Sequence, residues 1–186
     1  MADMSDFASL QGSLLVASPD LLDPNFRRTV VLLTEHDAEA AMGVVLNRRL
    51  EIAVVDAVPV LADLVEDGAQ VFSGGPVQSG SVLALADFNE PAQSAALAFG
   101  SIGYLRGDED PAELVGDVTA VRVFAGYSGW GPGQLEAELS QEAWITVPAV
   151  PDDVFGDPDG LWGRVLERKG GRYRLLARMP DDPSLN

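Results

Sequence analysis

His36 is the single histidine of the chain, and so the one side chain whose ordinary titration range reaches neutrality. As a general base it would need a nucleophile to activate, and Ser128 or a water is the candidate, which would make a hydrolase. Ser128 lies in the run GYSGWGPGQ (Gly126–Gln134), which fits poorly to enzyme motifs. A nucleophile elbow needs G-x-S-x-G, but Trp130 stands at the fifth position. A dinucleotide fingerprint, G-x-G-x-x-G, would end on Gln134 or Glu136. Lys169 is the lone lysine, so no Walker lysine is present. Glu35 and Asp37 flank His36, but neighbours on a strand face opposite ways, so neither orients the ring. The competing reading of the run is structural: glycines for a loop with tight turns, Pro132 opening a helix, Trp130 packed on the core.

Other polar groups recur in separate motifs. Arg27 and Arg28 stand across an expected hairpin from Arg48 and Arg49. They could pair with acids such as Asp23 and Glu35, or hold a carboxylate or phosphate. SGGPV (Ser73–Val77) reads as a tight strand-end turn, and Pro76 takes one donor from any anion nest there. Glu138 and Glu142 share a helix face that reads as solvated. The residues selected for binding are Arg28, His36, Asn47, Gly74, Gly75 and Gln134; no catalytic residue is assigned.

Composition excludes several chemistries. With no Cys and one His there is no disulfide framework, Cys-ligated zinc, iron–sulfur cluster or two-histidine site, so neither metal nor cofactor is expected. The net charge is −17, and all of it falls between Glu51 and Gly163, where 19 acids face Arg106 and Arg122. Such a field repels phosphates, which disfavours nucleic acid as a partner. A basic stretch, Arg164 to Arg178, lacks the interleaved aromatics of a nucleic-acid surface. The N-terminus MADMSD has no basic region, which argues against a signal peptide. No apolar run approaches the ~18 residues of a membrane span. A single domain over 1–186, monomeric and cytoplasmic, is expected.

Several strands and helices must position these groups. Strands are predicted over Gly12–Ser18, Arg28–Thr34, Met42–Asn47, Ala69–Ser73, Ser81–Ala86, Val118–Ala125, Trp144–Val147 and Arg172–Ala177. Val30–Leu33 has no polar alternation, so both of its faces should be buried. Helices are predicted over Ile52–Val65, broken near Pro59, and over Gln134–Glu142 and Asp159–Lys169, the last stopped by Gly170. Asp110–Val115 reads as one turn, Pro148–Pro158 as loop with room for one turn, and Ala92–Leu105 stays ambiguous. Hairpin-like strand runs without regular β-α alternation predict an α+β fold with a mixed, mostly antiparallel sheet.

The segments Leu14–His36, Met42–Arg48, Ser73–Val77, Gly126–Leu139, Ala143–Ala149 and Leu161–Trp162, in this order, resemble the YqgE/AlgH family of small bacterial proteins. The resemblance implies a bent sheet folded into a partial barrel with helices around it. It implies no assigned molecular activity, although one branch is named for transcriptional regulation of alginate synthesis. The chain departs from the family pattern at Ala40, usually Gly, and at Arg49, usually Pro. A glycine with positive φ at position 40 would leave Ala40 strained, so a different turn is expected here. Ala can stand at the position of Ser128, which weakens a serine nucleophile. The expectation is a non-enzymatic domain that binds a small ligand or a protein; the alternatives are a hydrolase using His36 and a transcription regulator.

Overall fold

The structure, a computed structural model, describes residues 7–180. The stretch 1–6, on which the reading against a signal peptide rests, lies outside them. β1 (Ser13–Ala17), β2 (Val30–His36) and β3 (Ala41–Val45) form an antiparallel meander, with β10 (Trp144–Pro148) on the outer edge of β1. Alternate residues of these strands feed two different cores. Leu14, Val16, Val30 and Leu32 enter one; Leu15, Ala17, Val31 and Leu33 enter the other. Both faces of Val30–Leu33 are therefore buried, and continuous Val/Leu runs are the sequence form of that burial.

Each face has its own cover. On the first lies α4 (Leu161–Lys169), whose Leu161, Trp162, Val165 and Leu166 share one side and pack there. Gly170, at φ 80°, ends the helix in a conformation glycine adopts without a Cβ penalty. On the second lies α2 (Gln134–Ser140), through Leu135 and Leu139, with Phe26, Trp130 and Trp144.

The longest strand, β9 (Val118–Trp130), organises the rest. One edge pairs antiparallel with β6 (Val77–Phe88). Along the other, Ser128–Trp130 pairs antiparallel with Ala41–Gly43 of β3. Further along that edge, Phe124 and Ala125 pair parallel with Phe72 and Ser73 of β5 (Gln70–Ser73), so the sheet is mixed. β4 (Arg49–Ala53) pairs antiparallel with β5. Beyond β6 lie β8 (Ile102–Tyr104) and β7 (Leu97–Phe99). The sheet curls until the Tyr104 hydroxyl donates to Thr34 Oγ1 of β2 at 2.8 Å and Gln11 Nε2 donates to the Leu97 carbonyl at 2.8 Å. The fold is thus α+β, its large and mostly antiparallel sheet unclosed, consistent with a partial barrel.

Several expectations are corrected. The run Gly126–Trp130 is not a loop: β9 passes straight through it. Its glycines allow close approach of another backbone, since a Cβ on Gly126, at φ 72°, would lie 2.7 Å from the Gly75 carbonyl oxygen. Arg172–Ala177 is not a strand but contains the helical turn α5 (Tyr173–Leu176). Ile52 and Ala53 belong to β4, and only α1 (Val54–Ala57) and a 3-10 turn at Pro59–Leu64 are helical. Pro148–Pro158 holds the short α3 (Pro151–Phe155), in keeping with the turn allowed for it. Ala92–Leu105 resolves into a 3-10 turn, β7 and β8. At Ala40, as expected, φ is not positive. The Asp37 carboxylate accepts the N–H groups of Glu39 and Ala40, and those bonds hold it below the usual carboxylate range.

Candidate functional site

The six residues selected from sequence fall into three separate places. Arg28 and Asn47 meet. Asn47 Oδ1 accepts from Val30 N at 3.0 Å, and its Nδ2 donates to the Arg28 carbonyl at 2.8 Å. This clamp holds Arg28 at φ 54°, a region that non-glycine residues rarely occupy. The Arg28 guanidinium lies 4.3 Å from the Trp162 ring centroid and donates to the Met179 and Pro180 carbonyls. Its donors therefore serve to fasten the C-terminal segment. Arg48 behaves alike, donating to the carbonyls of Asn25 and Arg27 at 2.8 and 3.1 Å.

His36 and Gln134 both work on α2. The buried His36 ring accepts the Leu10 N–H on Nδ1 at 2.8 Å, so in the neutral ring Nε2 carries the proton, donated to Glu136 at 2.9 Å. Partial burial pushes Glu136 up, but its own backbone N–H and the His36 contact hold it below the usual carboxylate range. Gln134 Oε1 accepts from Gly131 N at 3.1 Å and its Nε2 donates to Glu138 at 3.1 Å. Glu138 also accepts the indole N–H of Trp130 at 2.9 Å and of Trp144 at 2.8 Å. The solvated-face reading of this residue is corrected: Glu138 satisfies two indoles at the edge of the second core.

Gly74 and Gly75 fill the fork where β3 leaves β9 and β5 joins it. Gly74 N donates to the Ala125 carbonyl, and its own carbonyl accepts from Val45 N and from Ser128 Oγ at 3.1 Å. A Cβ on Gly75 would lie 2.3 Å from Tyr127 backbone atoms. Ser128 is wholly buried, and β3 stands between it and β2, so roughly 10 Å of sheet separates it from the strand that carries His36. Both ring nitrogens of His36 and the Ser128 hydroxyl are committed elsewhere. The base–nucleophile pair is not formed.

A cavity that the sequence reading missed lies against the first half of β9. It offers about 470 Å³ between Arg49 of β4, Val54 of α1, Phe72 of β5, Thr119–Val123 of β9, the segment 63–70, Phe155 and Pro158. Arg122 dominates it. The guanidinium stacks 4.4 Å from the Phe72 centroid, and its Nη2 donates to the Phe155 and Gly156 carbonyls at 3.2 and 3.0 Å. Those carbonyls are held by α3. Asp153, nearly fully buried, takes a bidentate pair from Arg168 at 2.8 and 2.7 Å and accepts from Val150 N at 2.9 Å. Arg122 Nη1 is buried and has no hydrogen-bond partner among the described residues. Burial, then the neighbouring Arg49 charge, lowers the Arg122 guanidinium to about 10, which leaves it charged at neutral pH. Arg49 itself pairs with Asp159 at 2.8 Å. The sequence carried one signal of this site: Arg122 is one of only two cations between Glu51 and Gly163, set inside an otherwise uncharged strand.

Among the described residues no cluster of His, Cys, Asp and Glu is arranged to hold a metal ion. No described helix is long and apolar enough to cross a membrane.

Comparison with known proteins agrees with the architecture. The AlgH-like family model (DUF179) matches residues 14–174. A UPF0301 protein of Streptomyces coelicolor is 46% identical, and one of Streptomyces avermitilis 45%, each alignment covering all of both chains. A crystal structure from Corynebacterium diphtheriae superposes with a TM-score of 0.85 at 29% identity, over 93% of this chain and 94% of that one. The solution structure of AlgH from Pseudomonas aeruginosa gives 0.70 at 29% identity, over 97% and 98%. With a family model matched across most of its length and full-length relatives at this identity, the chain belongs to the AlgH-like, UPF0301 family.

Proposed function

We propose that the protein is a non-catalytic binding domain and that the cavity beside Arg122 receives a small ligand through an acceptor oxygen. The observation that carries this reading is the cavity lined by Arg122, whose Nη1 is a charged donor, closed off from solvent and without a hydrogen-bond partner among the described residues. Buried donors in folded proteins are almost always satisfied, and an unsatisfied charged one costs several kcal/mol. Phe72 and the Phe155 and Gly156 carbonyls fix the orientation of the guanidinium, so a ligand would pay little to order it. A cavity of about 470 Å³ lies within the range of small-molecule sites. A hydrolase based on His36 and Ser128 has no such support, because the hydrogen bonds of both side chains run to structural partners. The regulator reading meets a net charge of −17, which opposes direct contact with DNA.

The test compares small molecules released on denaturing the wild-type protein and Arg122→Gln, both purified from the same host and identified by mass spectrometry. The expected result is a compound near stoichiometric in the wild type and reduced at least tenfold in the variant. Arg122→Lys, which keeps the charge, guards against a folding defect. Identical profiles from variants with wild-type near-ultraviolet circular dichroism would overturn the proposal.

A further inference from the structure

Resting on that reading of the cavity, we infer that its ligand is a short basic peptide, bound extended as an added strand beside Thr119–Val123 of β9. The pairing of β9 shows where such a strand fits. Gly74 N donates to the Ala125 carbonyl, so Ala125 turns its main-chain groups toward β5. Main-chain direction alternates along a strand, so Thr119, Val121 and Val123 turn theirs to the same edge, while Ala120 and Arg122 turn theirs to β6. On that edge the parallel pairing with β5 ends at Phe72 and Phe124. β5 itself runs on beside β4 as far as Gln70, opposite Ala53. The two strands therefore part beyond Phe72, and among the described residues no strand pairs with this edge of β9 at Thr119–Val121. The cavity lies in the gap. Arg122 stands on one face of β9, against Phe72, and Val121 on the other, against the apolar cluster of Leu61 and Val71. Both line the cavity, which is thus at the edge of the strand and not over one face. An open sheet edge is a template to which extended peptides add through main-chain hydrogen bonds. At ~3.3 Å per residue, Thr119–Val123 gives such a peptide about 13 Å, the length of roughly four residues. Each of its residues also brings a carbonyl, the acceptor oxygen that the cavity reading calls for.

Charge selects a basic peptide. Asp63, Glu66 and Asp67 line the cavity, and among the described residues none of the three is in an ion pair. Of the two lining bases, Arg49 is paired with Asp159, and Arg122 is stacked on Phe72 with donors given to main-chain carbonyls. The surplus at the cavity is negative, as it is over Glu51–Gly163, where 19 acids face two bases. An acidic peptide would meet like charge there, whereas Lys or Arg side chains would meet their complement.

The experiment is an amide ¹H–¹⁵N titration of the full chain, followed by amide hydrogen exchange, with three capped tripeptides. They are acetyl-Lys-Val-Lys-amide, acetyl-Glu-Val-Glu-amide, and the lysine peptide with all three residue nitrogens methylated, which keeps the side chains and loses those main-chain donors. The lysine peptide is expected to bind and, at saturation, to slow exchange of the Thr119 and Val121 amides at least fivefold. It should bind at least tenfold more tightly than either of the other two. The double variant Glu66→Gln, Asp67→Asn, which removes two exposed charges, should weaken it at least threefold. Binding of the lysine peptide without slower exchange at Thr119 and Val121, or equal binding of the methylated peptide, would show that no strand is added; the inference then fails while the cavity stays a ligand site. Equal binding of the glutamate peptide would overturn the basic character of the ligand. If the lysine peptide does not bind, the inference fails, and the compounds released from wild type and Arg122→Gln decide the cavity reading by themselves.

Discussion

At the scale of single residues, the aromatic in the glycine-rich run separates structure from chemistry. Trp130 ends β9 rather than standing in a loop, and it is only 5% exposed. Its ring centroid lies 6.1 Å from that of Trp144 and 6.2 Å from that of Phe26. The indole N–H reaches Glu138, so the ring fastens α2 to the sheet. Trp130→Ala should therefore destabilise by about 3–5 kcal/mol, the cost of emptying a buried aromatic site. Ser128→Ala removes one hydroxyl whose acceptor, the Gly74 carbonyl, keeps the Val45 N–H, so its cost should be about 1 kcal/mol. Chemical denaturation of both variants checks the contrast. A Trp130→Ala midpoint like that of wild type, or a Ser128→Ala loss as large as the tryptophan's, would show that the run was misread.

At the scale of elements, the sheet is held in its curl by contacts across the gap between β8 and β2. Burial pushes the Tyr104 phenol up to about 12. The folded protein thus keeps the phenol neutral, whereas in the unfolded chain it ionises near pH 10. Unfolding then releases a proton in this window, so stability falls as pH rises from about 10 to about 12. The loss should approach roughly 2–3 kcal/mol, from two pKa units at 1.36 kcal/mol each. Tyr104→Phe has no such proton to release. Melting curves of the two proteins between pH 9 and 12 should therefore converge, and parallel curves would remove Tyr104 from the closing contact.

The elements also show what was legible in the sequence. Val30–Leu33 and the stop at Gly170 were readable because burial on both faces and helix termination each leave a local mark. Gly126–Trp130 was not, because glycine has two uses, turning a chain and letting another backbone come close. Which applies depends on Gly75, some 50 residues away in sequence. Arg172–Ala177 misled through its β-compatible composition, and packing of α5 on α4 settled it as helical. Of the site residues, Arg28 and Asn47 do meet, but as a backbone clamp. Arg122 escaped notice because its meaning comes from partners in β5 and after α3, which no spacing encodes.

At the scale of the whole molecule, the fold divides its tasks. The meander of β1–β3 and β10 is buried on both faces and carries three of the six family-like segments, while the arginine cavity lies beside a third, smaller apolar cluster of Val54, Leu61, Val71, Ala84 and Val123. Asp63, Glu66 and Asp67 line this cavity together with Arg49 and Arg122, so charges of both signs meet there. The most direct test is an amide ¹H–¹⁵N chemical-shift titration of the full chain with the polar metabolite fraction of the expression host. The account predicts shifts confined to the cavity wall, at Ala69, Gln70 and Val121–Val123, and lost in Arg122→Gln. Shifts centred instead on Arg28, Asn47 and Trp162, or shifts at the cavity that persist undiminished in Arg122→Gln, would contradict it.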